Sequence, residues 1–266
     1  MAAGIAAVFA PTALSLGRVW ASVDYYSHGF LVPVAAGLLA YGRAERTQLP
    51  IAGDWRGGAL LVAALTAEAV GVAIGSPFVQ GVALVAAIAG AVLALRGGAW
   101  LRALAFPIAF LLFAAPLPPA WLAPVVVRLL LFVSTAAAAL LEWAGFPVLR
   151  EGNVITLPGG ASLFVAEACS GLTSLVTLLP IAALVAYLAP LRTPARWLVV
   201  ALAVPIAMAA NLARVVATTL LALRFGVERV TGATAHALLG LLVYAIACGG
   251  LLLAARGLSD SGDRAR

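Results

Sequence analysis

Charge is what this sequence has least of. Asp, Glu, Lys and Arg make up 10% of its 266 residues, against about 25% in an ordinary soluble domain, and lysine is absent altogether. With 64% apolar residues, the chain is neither a disordered segment nor a typical water-soluble globule. Two cysteines are too few for a disulfide scaffold or a CxxC-type metal site. Two histidines and few acids offer no recognisable metal-ligand spacing, so no metal and no cofactor is expected. The 16 basic residues, all arginine, give a net charge of +6. They form no run or patch, so nucleic acid is not the expected partner. They punctuate apolar stretches instead, as loops between membrane helices do.

A bilayer core about 30 Å thick takes roughly 20 apolar helical residues. On that measure, spans are expected at 1–18, 25–42, 57–75, 79–95, 100–115, 171–190, 195–223 and 235–255. The first has no basic n-region and further spans follow at once, so it reads as a helix and not a signal peptide. Short cytoplasmic loops are enriched in arginine. Arg43, Arg46 and Arg56, then Arg96 and Arg102, Arg192 and Arg196, and finally Arg256, Arg264 and Arg266 mark the inner side.

The apolar stretch 119–143 tests this assignment. If it does not cross, all four arginine groups fall inside; if it crosses, the last two fall outside. Arg128 in its middle and Glu142 at its end also weigh against a lipid-exposed span, because a central charge costs about 2.5–3.5 kcal/mol. It therefore reads as an interfacial or re-entrant helix on the outer face. The alternative is a ninth span with Arg128 turned into the bundle. Beyond it, Phe146–Arg150, Val154–Leu157 and Ala161–Ala166 are strand-like runs. Gly152-Asn153 and Pro158-Gly159-Gly160 separate them, and these are turn formers. The expected fold is an all-α polytopic membrane protein with about eight transmembrane helices, one outer interfacial or re-entrant helix and a small outer β-meander.

The few polar residues near the spans converge in depth. Cys169 opens the sixth span, Arg214 lies inside the seventh and His236 opens the eighth. At about 1.5 Å per residue, Cys169 lies about 35 Å from Arg192, Arg214 about 27 Å from Arg196, and His236 about 30 Å from Arg256. All three fall near the outer edge of the hydrocarbon layer. Singly, each has a structural reading: a small apolar filler, a snorkelling arginine, an interfacial histidine. Cys248, mid-span and about 18 Å below His236, is such a filler and no partner for Cys169. A thiol, a guanidinium and an imidazole at one depth together point to chemistry.

At these residues the chain resembles the exosortase/archaeosortase family of integral-membrane cysteine transpeptidases. Tyr26-Ser27-His28-Gly29-Phe30-Leu31 with Pro33 is similar to the family's early motif. Glu151-Gly152-Asn153 with Ile155 and Leu157 is similar to its strand segment, and Glu167-Ala168-Cys169-Ser170-Gly171-Leu172 to its nucleophile motif. Asn211 with Arg214 is similar to its N-x-x-R motif, and His236 to its histidine motif. Thr173 departs from the pattern, because many members carry arginine or another larger polar residue there.

The resemblance implies one exosortase-like membrane domain over 1–266, in which 119–170 leads to the nucleophile. It also implies a multi-pass protein of the bacterial inner membrane, with a Cys169–Arg214–His236 constellation on the outer face. The implied partners are the lipid bilayer, membrane-anchored substrates with a C-terminal sorting signal of the Pro-Glu-Pro class, and an acceptor lipid or polysaccharide.

A thiolate at a helix N-terminus is stabilised by free amides and the helix dipole. Cys169 is the expected nucleophile, His236 the proton shuttle and Arg214 the oxyanion donor, with the last two roles open to partial exchange. Asn211, one turn away, supports Arg214 or contacts substrate. His28, Glu167 and Ser170 are supporting candidates. Arg128 and Arg150 rank low as contacts for an acidic substrate residue, and Glu68 is a deep charge expected to pair with an arginine. Pro180 and Pro205 are candidates for kinks that open a lateral groove. Two other classes compete: a transporter-like bundle, whose ionisable groups sit near the midplane, and a noncatalytic scaffold of an envelope or exopolysaccharide system.

Overall fold

The computed structural model describes residues 2–164 and 171–264. Backbone contacts divide the chain into two compact units, residues 1–119 and 120–266.

The first unit is helical throughout. Helix α1 (Ala2–Ser22) passes through a 3-10 segment (Asp24–Phe30) into α2 (Leu31–Glu45). Helices α3 (Arg56–Ala73) and α4 (Pro77–Arg96) form a hairpin, opened by the Ser76 side chain accepting from Val79 N–H, with Pro77 in the first turn. Small residues let this hairpin close tightly. A Cβ on Gly57 would lie 2.2 Å from Ala94 N, and one on Gly90 3.1 Å from Leu61. Phe9, Ala64, Ala83 and Ala87 from α1, α3 and α4 make the shared core.

The expected span 100–115 is not one helix. It is divided into α5 (Gly98–Ala103), α6 (Ala105–Phe110) and a 3-10 turn (Leu111–Ala114). Pro107 explains the break, since its ring excludes a helical carbonyl at Ala103, four residues back.

The second unit begins with α7 (Pro119–Trp143), continuous over 25 residues. It does not fold back on itself, so the re-entrant form of the sequence reading is corrected. Nor does Arg128 turn inward; it and Glu142 are exposed. The buried stripe of α7 runs through Leu130, Val133, Ala137 and Leu141, at the three-and-four spacing of one helical face.

The β-meander is present as expected. Strands β1 (Leu149–Glu151), β2 (Val154–Thr156) and β3 (Ser162–Phe164) are antiparallel in the order β1-β2-β3. Glu151 faces Val154 across a two-residue turn in which Gly152 takes φ +62°, and Ile155 faces Leu163. Ile155 is fully buried.

Helices α8 (Leu172–Leu188), α9 (Thr193–Phe225), α10 (Val227–Thr231) and α11 (Ala233–Arg264) complete the chain. The 33 residues of α9 make a rod about 50 Å long, and its two halves have different neighbours. Val199, Ala203 and Ala207 pack with Leu178 and Ala182 of α8 and with Ala247 and Leu251 of α11. Met208, Leu212, Val215 and Ala222 pack instead with α7 and with Ile155 and Leu157 of the meander. Helices α8 and α9 continue unbroken through Pro180 and Pro205.

Among the described residues, five helices are long and apolar enough to cross a membrane: Arg56–Ala73, Pro77–Arg96, Pro119–Trp143, Thr193–Phe225 and Ala237–Ser259. Four coincide with expected spans, and the fifth is the stretch read as lying on the surface. The polytopic all-helical class stands, and the count of eight is not reached. Helix α8, at 17 residues, is apolar but shorter.

Candidate active site

Helix α9 carries the best-described part of the candidate site. Asn211 is 1% exposed and Arg214 half-buried, one turn apart on the same face. Each meets a glycine on a different neighbouring helix. A Cβ built on Gly171, the residue that caps α8, would lie 3.2 Å from Asn211 Nδ2. One on Gly240 of α11 would lie 3.1 Å from Arg214 Nη2 and 3.3 Å from its Cζ. The amide therefore sits against the start of α8 and the guanidinium against the backbone of α11.

Both glycines lie close in sequence to an expected site residue. Gly171 follows Cys169 by two residues, and Gly240 follows His236 by four, one helical turn. Glu167, Cys169 and Ser170 lie outside the described residues, as does the His236 side chain; the backbone of His236 is helical, in the first turns of α11. Gly171 has φ +88°, a left-handed conformation that a Cβ disfavours. The chain thus enters α8 by a sharp left-handed turn placed against Asn211.

His28 is held by the main chain of a neighbouring segment. Its Nε2–H donates to the Phe113 carbonyl at 3.2 Å. Beside it the Tyr26 hydroxyl accepts from Leu117 N–H at 2.7 Å, and Trp20 Nε1–H donates to the Ala114 carbonyl at 2.9 Å. The 3-10 turn ends at Ala114 and residues 115–117 are not helical, so these side chains satisfy main-chain groups that no helix supplies. Gly29 completes the arrangement, because a Cβ there would fall 2.4 Å from the Trp20 ring. The early motif is thus a clasp that ties the end of α1 to the chain after α6.

Other candidates resolve into structural roles. Arg150 donates from Nη1 to the Gly152 carbonyl at 2.7 Å, bracing its own hairpin. Glu68, 6% exposed, accepts from the Thr12 hydroxyl of α1, so its partner is a threonine and not the expected arginine. Cys248 is a free thiol packed into the α8–α9–α11 core. No group of three or more potential metal ligands occurs among the described residues.

Gly240 and the Trp20 clasp were not singled out from the sequence, and Gly171 was named only as part of the nucleophile motif. The available signal was a glycine one helical turn after His236.

A family model described as transmembrane exosortase matches residues 20–253. The chain belongs to the transmembrane exosortase family. The matched region runs through both units of this exosortase and includes every residue from Trp20 of the clasp to Gly240. No curated protein and no solved structure matches it.

Proposed function

We propose that this exosortase is a membrane-embedded cysteine protease or transpeptidase that cleaves C-terminal sorting signals of exported proteins through an acyl-thioester on Cys169. The observation that carries the reading is the pair of glycine contacts. Asn211 lies against Gly171, two residues after Cys169 in the sequence, and Arg214 lies against Gly240, four residues after His236.

The Cys169 thiolate attacks the scissile carbonyl, and the resulting oxyanion is held by Arg214, which stays charged and presents several donors. The C–N bond breaks as His236 delivers a proton to the departing amine. Water or an acceptor amine, deprotonated by His236, then attacks the thioester and releases the thiol. The Asn211 amide fixes the turn into α8 and flanks Arg214. Glu167 and Ser170 are supporting residues beside the thiol.

We assign the site to the outer face of the bacterial inner membrane. With α7 on the outer surface, the arginine groups mark the opposite side. The whole chain acts as one exosortase domain, since the family match runs across both units. A substrate with its own membrane helix diffuses in the bilayer plane and brings its scissile bond to this depth without extraction of the anchor. The partners are such substrates, the bilayer, and an acceptor lipid or polysaccharide.

The test is co-expression with a reporter carrying a Pro-Glu-Pro tail, a membrane helix and a basic cluster. Wild-type enzyme removes the tail and Cys169→Ala does not. Full processing by the alanine variant refutes the assignment.

A further inference from the structure

Resting on that reading, we propose that the open edge of β3 is the strand on which substrate docks, pairing the main chain of Ser162 and Phe164 with an extended peptide that flanks the scissile bond. The order β1-β2-β3 leaves β3 with one paired side among the described residues.

The pairing pattern shows which groups face outward. Leu157 N–H bonds to the Ala161 carbonyl at 2.7 Å, which makes Leu157 and Ala161 a hydrogen-bonded pair. In an antiparallel ladder such pairs alternate with non-bonded ones. Ile155 and Leu163 are therefore bonded, while Thr156 and Ser162, and Val154 and Phe164, are not. The N–H and C=O of Ser162 and Phe164 consequently point away from β2, offering two donors and two acceptors to an added strand.

The side chains suit the same use. Leu163 is buried beneath the sheet, whereas Ser162 and Phe164 are exposed on the other face, Phe164 by 63%. A peptide added beside β3 would set alternate side chains on that face, with an apolar one next to the Phe164 ring. Strand addition supplies affinity through main-chain bonds and specificity through alternate side chains. Continuity favours substrate over any other occupant, because Cys169 follows Phe164 by five positions, a reach of at most about 18 Å.

The test uses full-length enzyme in lipid nanodiscs and a synthetic Pro-Glu-Pro tail peptide. Wild-type enzyme is given peptides N-methylated at single successive positions. Cleavage should fall by about twofold to tenfold at alternate positions, the loss expected of one main-chain bond, and stay unchanged between them. On the enzyme, Ser162→Pro removes an outward N–H that the β2–β3 ladder does not use, so it should raise KM severalfold. Reaction of Cys169 with a small thiol reagent should be unchanged in Ser162→Pro. A flat or non-alternating methylation profile, or wild-type KM in Ser162→Pro, overturns the docking strand. Processing by Cys169→Ala would instead overturn the cysteine mechanism on which it rests.

Discussion

Substitution of Gly240 separates the catalytic reading from a merely structural one. In Gly240→Ala the new Cβ would lie 3.1 Å from Arg214 Nη2 and 3.3 Å from Cζ, inside the optimal non-bonded separation of about 3.5 Å. The guanidinium must retreat by about 0.4 Å. A misplacement of about 1 Å at a catalytic group costs roughly 100-fold, so a logarithmic scaling gives about a sixfold loss of cleavage rate. Alanine is favoured over glycine inside a helix by about 0.8–1.0 kcal/mol, so the variant should melt no lower than wild type. Gly240→Val adds two further carbons in the same place and should expel the guanidinium. Its rate should then approach that of Arg214→Ala, for which loss of an oxyanion donor predicts about 10²–10³-fold. Tail removal from the reporter measures the rate, and thermal unfolding in detergent measures the fold. A folded Gly240→Val enzyme that cleaves at the wild-type rate refutes the placement of Arg214 at the reacting carbonyl.

Three further outcomes follow from the packing. Gly171→Ala forces a side chain into φ +88° and to 3.2 Å from Asn211 Nδ2; the left-handed conformation alone costs about 1–2 kcal/mol, so both melting temperature and cleavage should fall. Gly29→Ala drives a Cβ to 2.4 Å from the Trp20 ring, which should destabilise the first unit by about 1–3 kcal/mol, visible as faster proteolysis there. Thr12→Val removes the hydroxyl that Glu68 accepts from, leaving a buried carboxylate oxygen without its donor at about 1–3 kcal/mol; Thr12→Ser should keep wild-type thermal stability.

The helices were legible because hydropathy and arginine punctuation are strong signals, and the boundaries of α3, α4 and α9 fall within two residues of their apolar runs. The meander was legible from its turn residues. Length of an apolar run does not reveal whether a helix is unbroken, and at 100–115 the outcome turned on Pro107, whose effect falls four residues upstream. For 119–143, composition could not distinguish a lipid-facing rod from one whose buried stripe meets α9 and the meander. Asn211 and Arg214 were legible as a motif. Their contacts with Gly171 and Gly240 were not, because a glycine announces close approach only once the opposing helix is known. His28 stood out by rarity, yet its partner is a main-chain carbonyl, and carbonyls leave no mark in a sequence.

The unbroken length of α9 acts as a ruler. One end is pinned beside Arg192 and Arg196, and Arg214 stands about 27 Å along it from Arg196, at the boundary between the section gripped by α8 and α11 and the section gripped by α7 and the meander. No joint lets the guanidinium rise or sink independently of that anchor. In bilayers of increasing acyl length the headgroup plane would climb past a reacting centre of fixed height, so turnover should pass through an optimum in lipid thickness.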